Sequence, residues 1–306
     1  MHQEVTPNTI PQAYVQFGAV KGFTPKSFER LRWLIKSKMG LGKSTFLSSI
    51  PRSLHLDIEG GAHSVVNSQA VRIPINRNAK IFMGVIAQLV KDGEAAKGDS
   101  TKLPFDVISI DPVDAMADML GDVICEEKST ETRHLEYIGE FGDRGAGYQL
   151  LYVRIQKMLH LLESLGYVWI LTCHLKEKDI TVKENGQNVT RTVVRPSIGD
   201  ALARVLENAA DMSAVIQNQV TTEEVSTPIT LAGGRTVNRT DKVTKNVFTM
   251  QVECDPQNDA KRRVFTFKGD IPLPLRNGWD SVRTFYDEKV AEMRKMLESD
   301  GPIPTV

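Results

Sequence analysis

Ser37-Lys38-Met39-Gly40-Leu41-Gly42-Lys43-Ser44-Thr45 lies between the apolar run Trp33-Leu34-Ile35 and a segment of helical character. Its spacing is that of a phosphate-binding loop, G-x-x-x-x-G-K-[S/T], with serine in place of the first glycine. In such a loop the backbone turns its N–H groups around the phosphates, the lysine reaches the β- and γ-oxygens, and the hydroxyl ligates Mg²⁺. Gly40, Gly42, Lys43 and Ser44 take those roles, and a helix starting near Ser44 adds the positive end of its dipole. Ser37 is expected to tune or weaken the loop, because the first glycine often adopts a backbone geometry that a side chain disfavours.

Working outward, residues 31–35 read as the strand before the loop, and residues 44–50 as the helix after it, ended by Pro51. Leu54-His55-Leu56-Asp57-Ile58-Glu59-Gly60-Gly61 alternates like a strand and ends in an acid before two glycines. The carboxyl end of a strand beside a phosphate loop is the crevice where open parallel sheets bind ligands. Glu59 is therefore a candidate base, and a surface carboxylate before a turn is the plainer alternative. Phe105-Asp106-Val107-Ile108-Ser109-Ile110-Asp111 is a buried-strand pattern ending in aspartate, the Walker B form, in which Asp111 holds Mg²⁺ through its water shell. Residues 167–173 form another continuous apolar strand, which leads to His174. A polar side chain leaving the sheet there can sense the γ-phosphate and pass its state to the next loop. A histidine in an ordinary turn is the competing reading.

Helical spacing is expected over 78–91, 113–125, 148–165, 200–208 and 279–297, with a strand over 212–216. Residues 128–147 form a polar loop with Lys128, Arg133, His134 and Arg144, in which acids outnumber bases, so DNA contact and a solvated connector are both open. Between 175 and 195, Lys176, Lys178, Lys183, Arg191 and Arg195 face three acids, and Asn185-Gly186 signals a hairpin tip with a type I′ turn. No aromatic residue occurs there to stack on bases. Residues 219–278 alternate β-prone runs with Gly, Asn and Pro turns, which predicts antiparallel additions to the sheet edge. The expected organisation is an irregular leader (1–29), an ATPase core (30–218), and an antiparallel extension with a closing helix (219–306).

Composition narrows the class. With 306 residues, 41% hydrophobic and 25% charged, the chain can bury a full α/β sheet. Thirty-eight basic and 38 acidic residues cancel, so any nucleic-acid contact depends on a local patch. Cys125, Cys173 and Cys254 are far apart with no C-x-x-C pair, which fits a reducing cytoplasm. No apolar run approaches the ~18 residues of a membrane span, and the first residues start no signal peptide, so neither membrane nor secretion is expected.

The order of phosphate loop, strand ending in Glu59, Walker B strand, long helix, and strand ending in a polar residue before a basic loop resembles the RecA-like core ATPases. The resemblance is nearest to phage RecA-like recombination proteins of the Sak single-strand annealing type. It implies an α/β P-loop NTPase fold with a mostly parallel central sheet flanked by helices, ATP and Mg²⁺ as ligands, and single-stranded DNA as partner. By the same resemblance, Ser37, Lys38, Met39, Gly40, Leu41, Gly42, Lys43, Ser44 and Thr45 bind the nucleotide, with Ser44 and Asp111 at the metal. Glu59 activates the attacking water, and His174 stands in for the polar sensor. Segments 128–147 and 175–198 become the DNA-facing loops. The family also implies a ring or filament of identical subunits, with Arg262, Arg263 or Lys268 reaching across the interface, and a single-strand-binding protein as a further partner. Lys38 to Ser44 also resembles the K-G-G-x-G-K-[S/T] loop of ParA/MinD-type partition ATPases, with Lys38 as the signature lysine, although Met39 breaks its glycine pattern and the early strand ending in Glu59 fits the RecA-like order better. A third reading is a nucleotide-gated adaptor that binds ATP without turnover.

Overall fold

Strand β1 (Trp33–Ser37) is buried along its whole length and sits between two strands that come much later in the chain. The computed structural model describes residues 26–62, 68–143, 145–184, 187–230, 236–252, 261–262, 269–274 and 276–298. The other strands are β2 (Ser53–Asp57), β3 (Val71–Pro74), β4 (Val107–Asp111), β5 (Val168–Glu184), β6 (Gln187–Pro196), β7 (Met212–Thr230), β8 (Thr236–Gln251), β9 (Lys261–Arg262) and β10 (Asp270–Pro272). They form one sheet in the order β10-β8-β7-β1-β5-β4-β2-β3, with β6 paired to β5 and β9 to β7. From β7 to β3 all neighbours are parallel, whereas β8 and β10 add to the β7 edge antiparallel. This is the mostly parallel, helix-flanked α/β architecture expected from the sequence, with antiparallel strands near the C-terminus.

The helices are α1 (Lys43–Ser48), α2 (Ala79–Ala96), α3 (Val113–Lys128), α4 (Ala146–Ser164), α5 (Asp200–Ala209) and α6 (Gly278–Glu298). Because side chains alternate across a strand, β1 sends Leu34 into one core and Trp33 and Ile35 into the other. The first core is filled by α2, α3, α4 and α5, through residues such as Phe82, Met116, Ile155 and Leu206. In the second, Phe46 and Leu47 of α1 meet Trp279 and Tyr286 of α6. The Trp279 N–H donates to Ser49 Oγ at 2.9 Å, which fixes the closing helix on the helix of the phosphate loop. Asn78 caps α2 by accepting from the N–H groups of Lys80 and Ile81, as an N-cap asparagine does. No helix among the described residues is long and apolar enough to cross a membrane.

The structure departs from or adds to the expectations in three places. The first strand begins at Trp33 rather than at residue 31, because a 3-10 turn at Phe28–Arg30 ends just before it. The pairing of Val71–Pro74 with β2 adds an edge strand that short, partly exposed residues did not signal. Most consequentially, the β-prone stretch between residues 219 and 251 belongs to two long strands rather than several short ones. β7 and β8 pair without interruption from Val215↔Gln251 to Thr230↔Thr236.

Two of these strands outrun the sheet. Past His174, β5 pairs among the described residues with β6 alone, from Leu175↔Pro196 to Glu184↔Gln187. Past Val215, β7 leaves β1, and residues 218–230 continue with β8 as a two-stranded ribbon of roughly 45 Å at ~3.4 Å per residue. Both arms leave the carboxyl edge of the sheet, one on each side of the phosphate-loop strand.

Candidate functional site

The phosphate loop takes its shape from two glycines. Gly40 and Gly42 have φ of 77° and 86°, in the left-handed region where a side chain would strain the backbone. Ser37, by contrast, ends β1 in ordinary strand conformation, paired with His174. The strain expected from a side chain at this first position is therefore absent. Its hydroxyl donates to the Lys38 carbonyl at 2.8 Å and faces the Lys43 ammonium at 3.1 Å. Helix α1 is only six residues long, so loop amides and Lys43, rather than a long macrodipole, supply the positive field.

Lys43 is buried, and among the described residues its Nζ donates to neutral loop oxygens alone, Ser37 Oγ and the carbonyls of Ser37 and Lys38 at 3.1–3.5 Å. Burial lowers its pKa from the ordinary lysine value, while the carboxylates of Asp111 and Asp114 pull it back up. A cation held this way gains from an anion that enters the cleft. That cleft, about 350 Å³, is lined by Gly40, Gly42, Lys43, Ser44, Glu59, Asp111 and His174, among others.

Asp111 accepts hydrogen bonds from two hydroxyls in the cleft. Ser44 Oγ donates to its Oδ2 at 2.5 Å, and the Thr172 hydroxyl donates to Oδ1. His55 Nε2 lies 3.3 Å from Oδ2 but off the line of a hydrogen bond. Burial alone pushes the Asp111 carboxyl up, but His55, Ser44 and Thr172 reverse this and bring it down to about 2. The carboxylate is thus ionised and fixed next to the loop hydroxyl. This hydroxyl–carboxylate pair, beside a buried ammonium, fits a magnesium-bound triphosphate: Ser44 and Asp111 would hold the ion, which would neutralise charge on the phosphate oxygens.

The acid at the end of β2 is organised by its neighbour. Asp57 accepts from the N–H groups of Gly60, Gly61 and Ala62 at 2.8, 3.2 and 3.0 Å, and from Arg72 at 2.6 Å. These bonds fold the chain so that Glu59, half-exposed, stands at the cleft, with Arg77 as its ion-pair partner at 3.3 Å. Sequence reading selected Glu59 and passed over Asp57. The signal for Asp57 was present in Asp-x-x-Gly-Gly, a carboxylate ahead of turn amides.

On the other side, β5 carries three candidate positions, at residues 172, 174 and 177. Thr172 touches Asp111. His174 lines the cleft and is held by Asp114, which accepts from its backbone N–H at 3.2 Å and lies 2.9 Å from Nδ1. Glu177, at the root of the β5–β6 arm, pairs with Lys38 at 2.5 Å. Sequence reading placed the sensor at His174 and missed Thr172, since a threonine inside an apolar strand looks like a β-former.

Lys176, Lys178 and Arg195 are exposed at the root of this arm, and Lys178 and Arg195 share a charged hollow with Arg204, Asp200 and Glu207. Lys183 and Arg191 belong to β5 and β6 farther out, paired with Asn188 and Ile180. Met39, at the tip of the phosphate loop, is 78% exposed. Arg262 is on β9 opposite Met212, whereas Arg144, Arg263 and Lys268 lie outside the described residues.

Comparison with curated proteins finds no match. Among solved structures, the chain is similar to a KaiC-like protein from the hyperthermophilic archaeon Pyrococcus horikoshii, at 11% identity and a TM-score of 0.36, over 81% of this chain and 87% of the other. Residues 29–264, from just before β1 to beyond β9, match the family AAA_24, described as an AAA domain. A buried loop lysine, a serine–aspartate pair and the sheet that aligns them lie within that span, and the chain belongs to this AAA-domain family of P-loop ATPases.

Proposed function

We propose that this chain binds ATP with Mg²⁺ at Ser37–Thr45, hydrolyses it, and acts on single-stranded DNA in phage-type recombination, annealing or replication, as a ring or filament of identical subunits. The observation that carries this reading is the continuity of β5. One strand runs from the Thr172 contact on Asp111, through His174 in the cleft, to Lys176, Lys178 and the arm pairing with Arg195. Lys38 of the loop is tied to the same arm through Glu177. A change at the phosphates therefore has a short covalent route to a basic hairpin.

Each residue contributes a separate action. Lys43 and the loop amides bind and orient the phosphates, and Asp111 stays ionised beside Ser44. Glu59 stands at the cleft mouth, where a carboxylate can take the proton of an attacking water. His174, fixed by Asp114, is placed to respond to the terminal phosphate and move the arm.

Steady-state turnover with and without single-stranded DNA tests the first half, since an adaptor without turnover shows binding only. Fluorescence anisotropy of a labelled oligonucleotide across salt concentrations tests the second. Five cations of the hairpin give a log–log slope of at most about −3.5, at ~0.7 per contact on single strands. Lys176→Ala with Arg195→Ala should make that slope shallower by about 1.4. A double variant with wild-type affinity and slope removes the arm from the DNA site, and a preference for duplex with ATP-driven dimerisation favours the partition-ATPase reading.

A further inference from the structure

The phosphate cleft accounts for the charged end of a nucleotide and leaves its base without a place. A second cavity, of about 190 Å³, is built on the same loop and shares Gly40, Gly42 and Thr45 with the first. Its remaining walls differ in character: Leu41, Phe46, Phe248, Leu273 and Pro274 contribute no side-chain hydrogen-bonding group. Such a space is smaller than the ~300–1,000 Å³ of pockets that enclose a whole drug-sized ligand. It suits a single flat ring system attached to something bound next door.

These walls come from separate parts of the chain. Leu41 and Phe46 belong to the loop and α1, Phe248 to β8 at the root of the long arm, and Leu273 and Pro274 to the segment between β10 and α6. The Leu273 N–H donates to the Phe248 carbonyl at 2.7 Å, and Thr249 pairs with Pro272, so the far wall is held as one unit. Gly278 closes the floor. A Cβ there would meet the Phe46 ring at 3.2 Å, which keeps α6 tight against α1.

We infer that this slot takes the purine base of the nucleotide whose phosphates sit on Lys43, and that Phe248 and Leu273 are base-contacting residues. The inference rests on the phosphate-loop reading above and adds the base, which that reading does not assign. Two cavities joined along three loop residues, one charged and one apolar, match the two chemical ends of a nucleoside triphosphate. Apolar walls grip a base by burial and stacking and discriminate poorly between bases that differ in polar edge groups. The protein should therefore bind GTP within about 10²-fold of ATP. A base in the slot also touches the root of the β7–β8 arm, which makes the C-terminal extension part of the nucleotide site.

Titration calorimetry of the full chain with Mg²⁺ and either ATP or inorganic tripolyphosphate separates the two cavities. Wild type should bind ATP more tightly than tripolyphosphate. Phe248→Ala and Leu273→Ala should each weaken ATP at least fivefold, the low end of what base stacking is worth, and leave tripolyphosphate within twofold. Equal wild-type affinity for the two ligands, or variants that keep the ATP preference, overturns the slot while the phosphate loop stands. Failure of wild type to bind either ligand overturns both readings. Photolabelling of the wild-type protein with 8-azido-ATP needs no variant: label on the peptides containing Phe248 or Leu273-Pro274 supports the slot, and label confined elsewhere overturns it.

Discussion

Glu59→Gln and Asp57→Ala are neighbouring changes for which the proposed roles give opposite signatures. Glu59 is partly exposed, and among the described residues its ion pair is with Arg77 at 3.3 Å, whose side chain is 56% exposed. An exposed pair of this kind is worth ~0–1 kcal/mol. At ~2–4 °C per kcal/mol for a domain of this size, the Gln variant should melt within about 4 °C of wild type. Its turnover should fall by about 10²–10⁴-fold, because the amide cannot take a proton from water, while ATP affinity holds. Asp57 inverts this pattern. Its side chain is 3% exposed and holds three backbone N–H groups and Arg72. Removing one partner of a buried pair costs ~3–5 kcal/mol, and the partial exposure of Arg72 puts this case near 3 kcal/mol. Melting should drop by roughly 6–12 °C, and turnover should fall with it, since the turn that presents Glu59 loses its anchor. Differential scanning fluorimetry and a coupled phosphate-release assay on both variants decide the matter. Wild-type turnover in Glu59→Gln would refute the assignment of the base. An unshifted melt in Asp57→Ala would refute the role of Asp57 as anchor.

Two further outcomes follow from the same hydrogen bonds. Thr172→Val keeps the strand but removes the donor from Asp111 Oδ1. Loss of a group that orients a metal ligand typically costs 10–100-fold in metal affinity, so the Mg²⁺ concentration for half-maximal ATP binding should rise by about that factor, and an unchanged midpoint counts against the contact. At the opposite end of β1, burial raises the Asp211 carboxyl, but Arg32, Lys26 and the Arg32 backbone N–H together hold it below the usual carboxylate range. A carboxylate lowered in the folded state stabilises above its unfolded value of ~3.9, and this stabilisation is lost as pH falls through the folded value. Urea titrations at pH 7, 5 and 3 should show Asp211→Asn less stable than wild type at pH 7, with the gap closing at pH 3. A constant gap across that range would exclude the linkage.

Local chemistry was legible where the residue types themselves dictate the conformation. Gly40 and Gly42 turn left-handed because they lack a Cβ, and Lys43 and Ser44 follow at fixed spacing, so the phosphate loop is readable from nine consecutive residues. Asp111 was readable for a similar reason, as the polar end of a run that has to be buried. The backbone strain expected at Ser37 does not arise, because the first loop position is still in a strand, which spacing does not reveal.

What depended on the tertiary structure is whatever strand pairing brings together. Thr172 matters because β5 is inserted between β1 and β4, which sets its hydroxyl against an aspartate 61 residues earlier. His55 approaches the same carboxylate only because β2 lies on the other side of β4. The apolar slot beside the loop joins Leu41, Phe248 and Leu273, which no periodicity connects. Hydrophobic pattern tells each segment that it must be buried and with which period; it carries no label for its neighbour. The neighbours are selected by the closure of the whole sheet, and the candidate site is assembled along the edge where that closure ends.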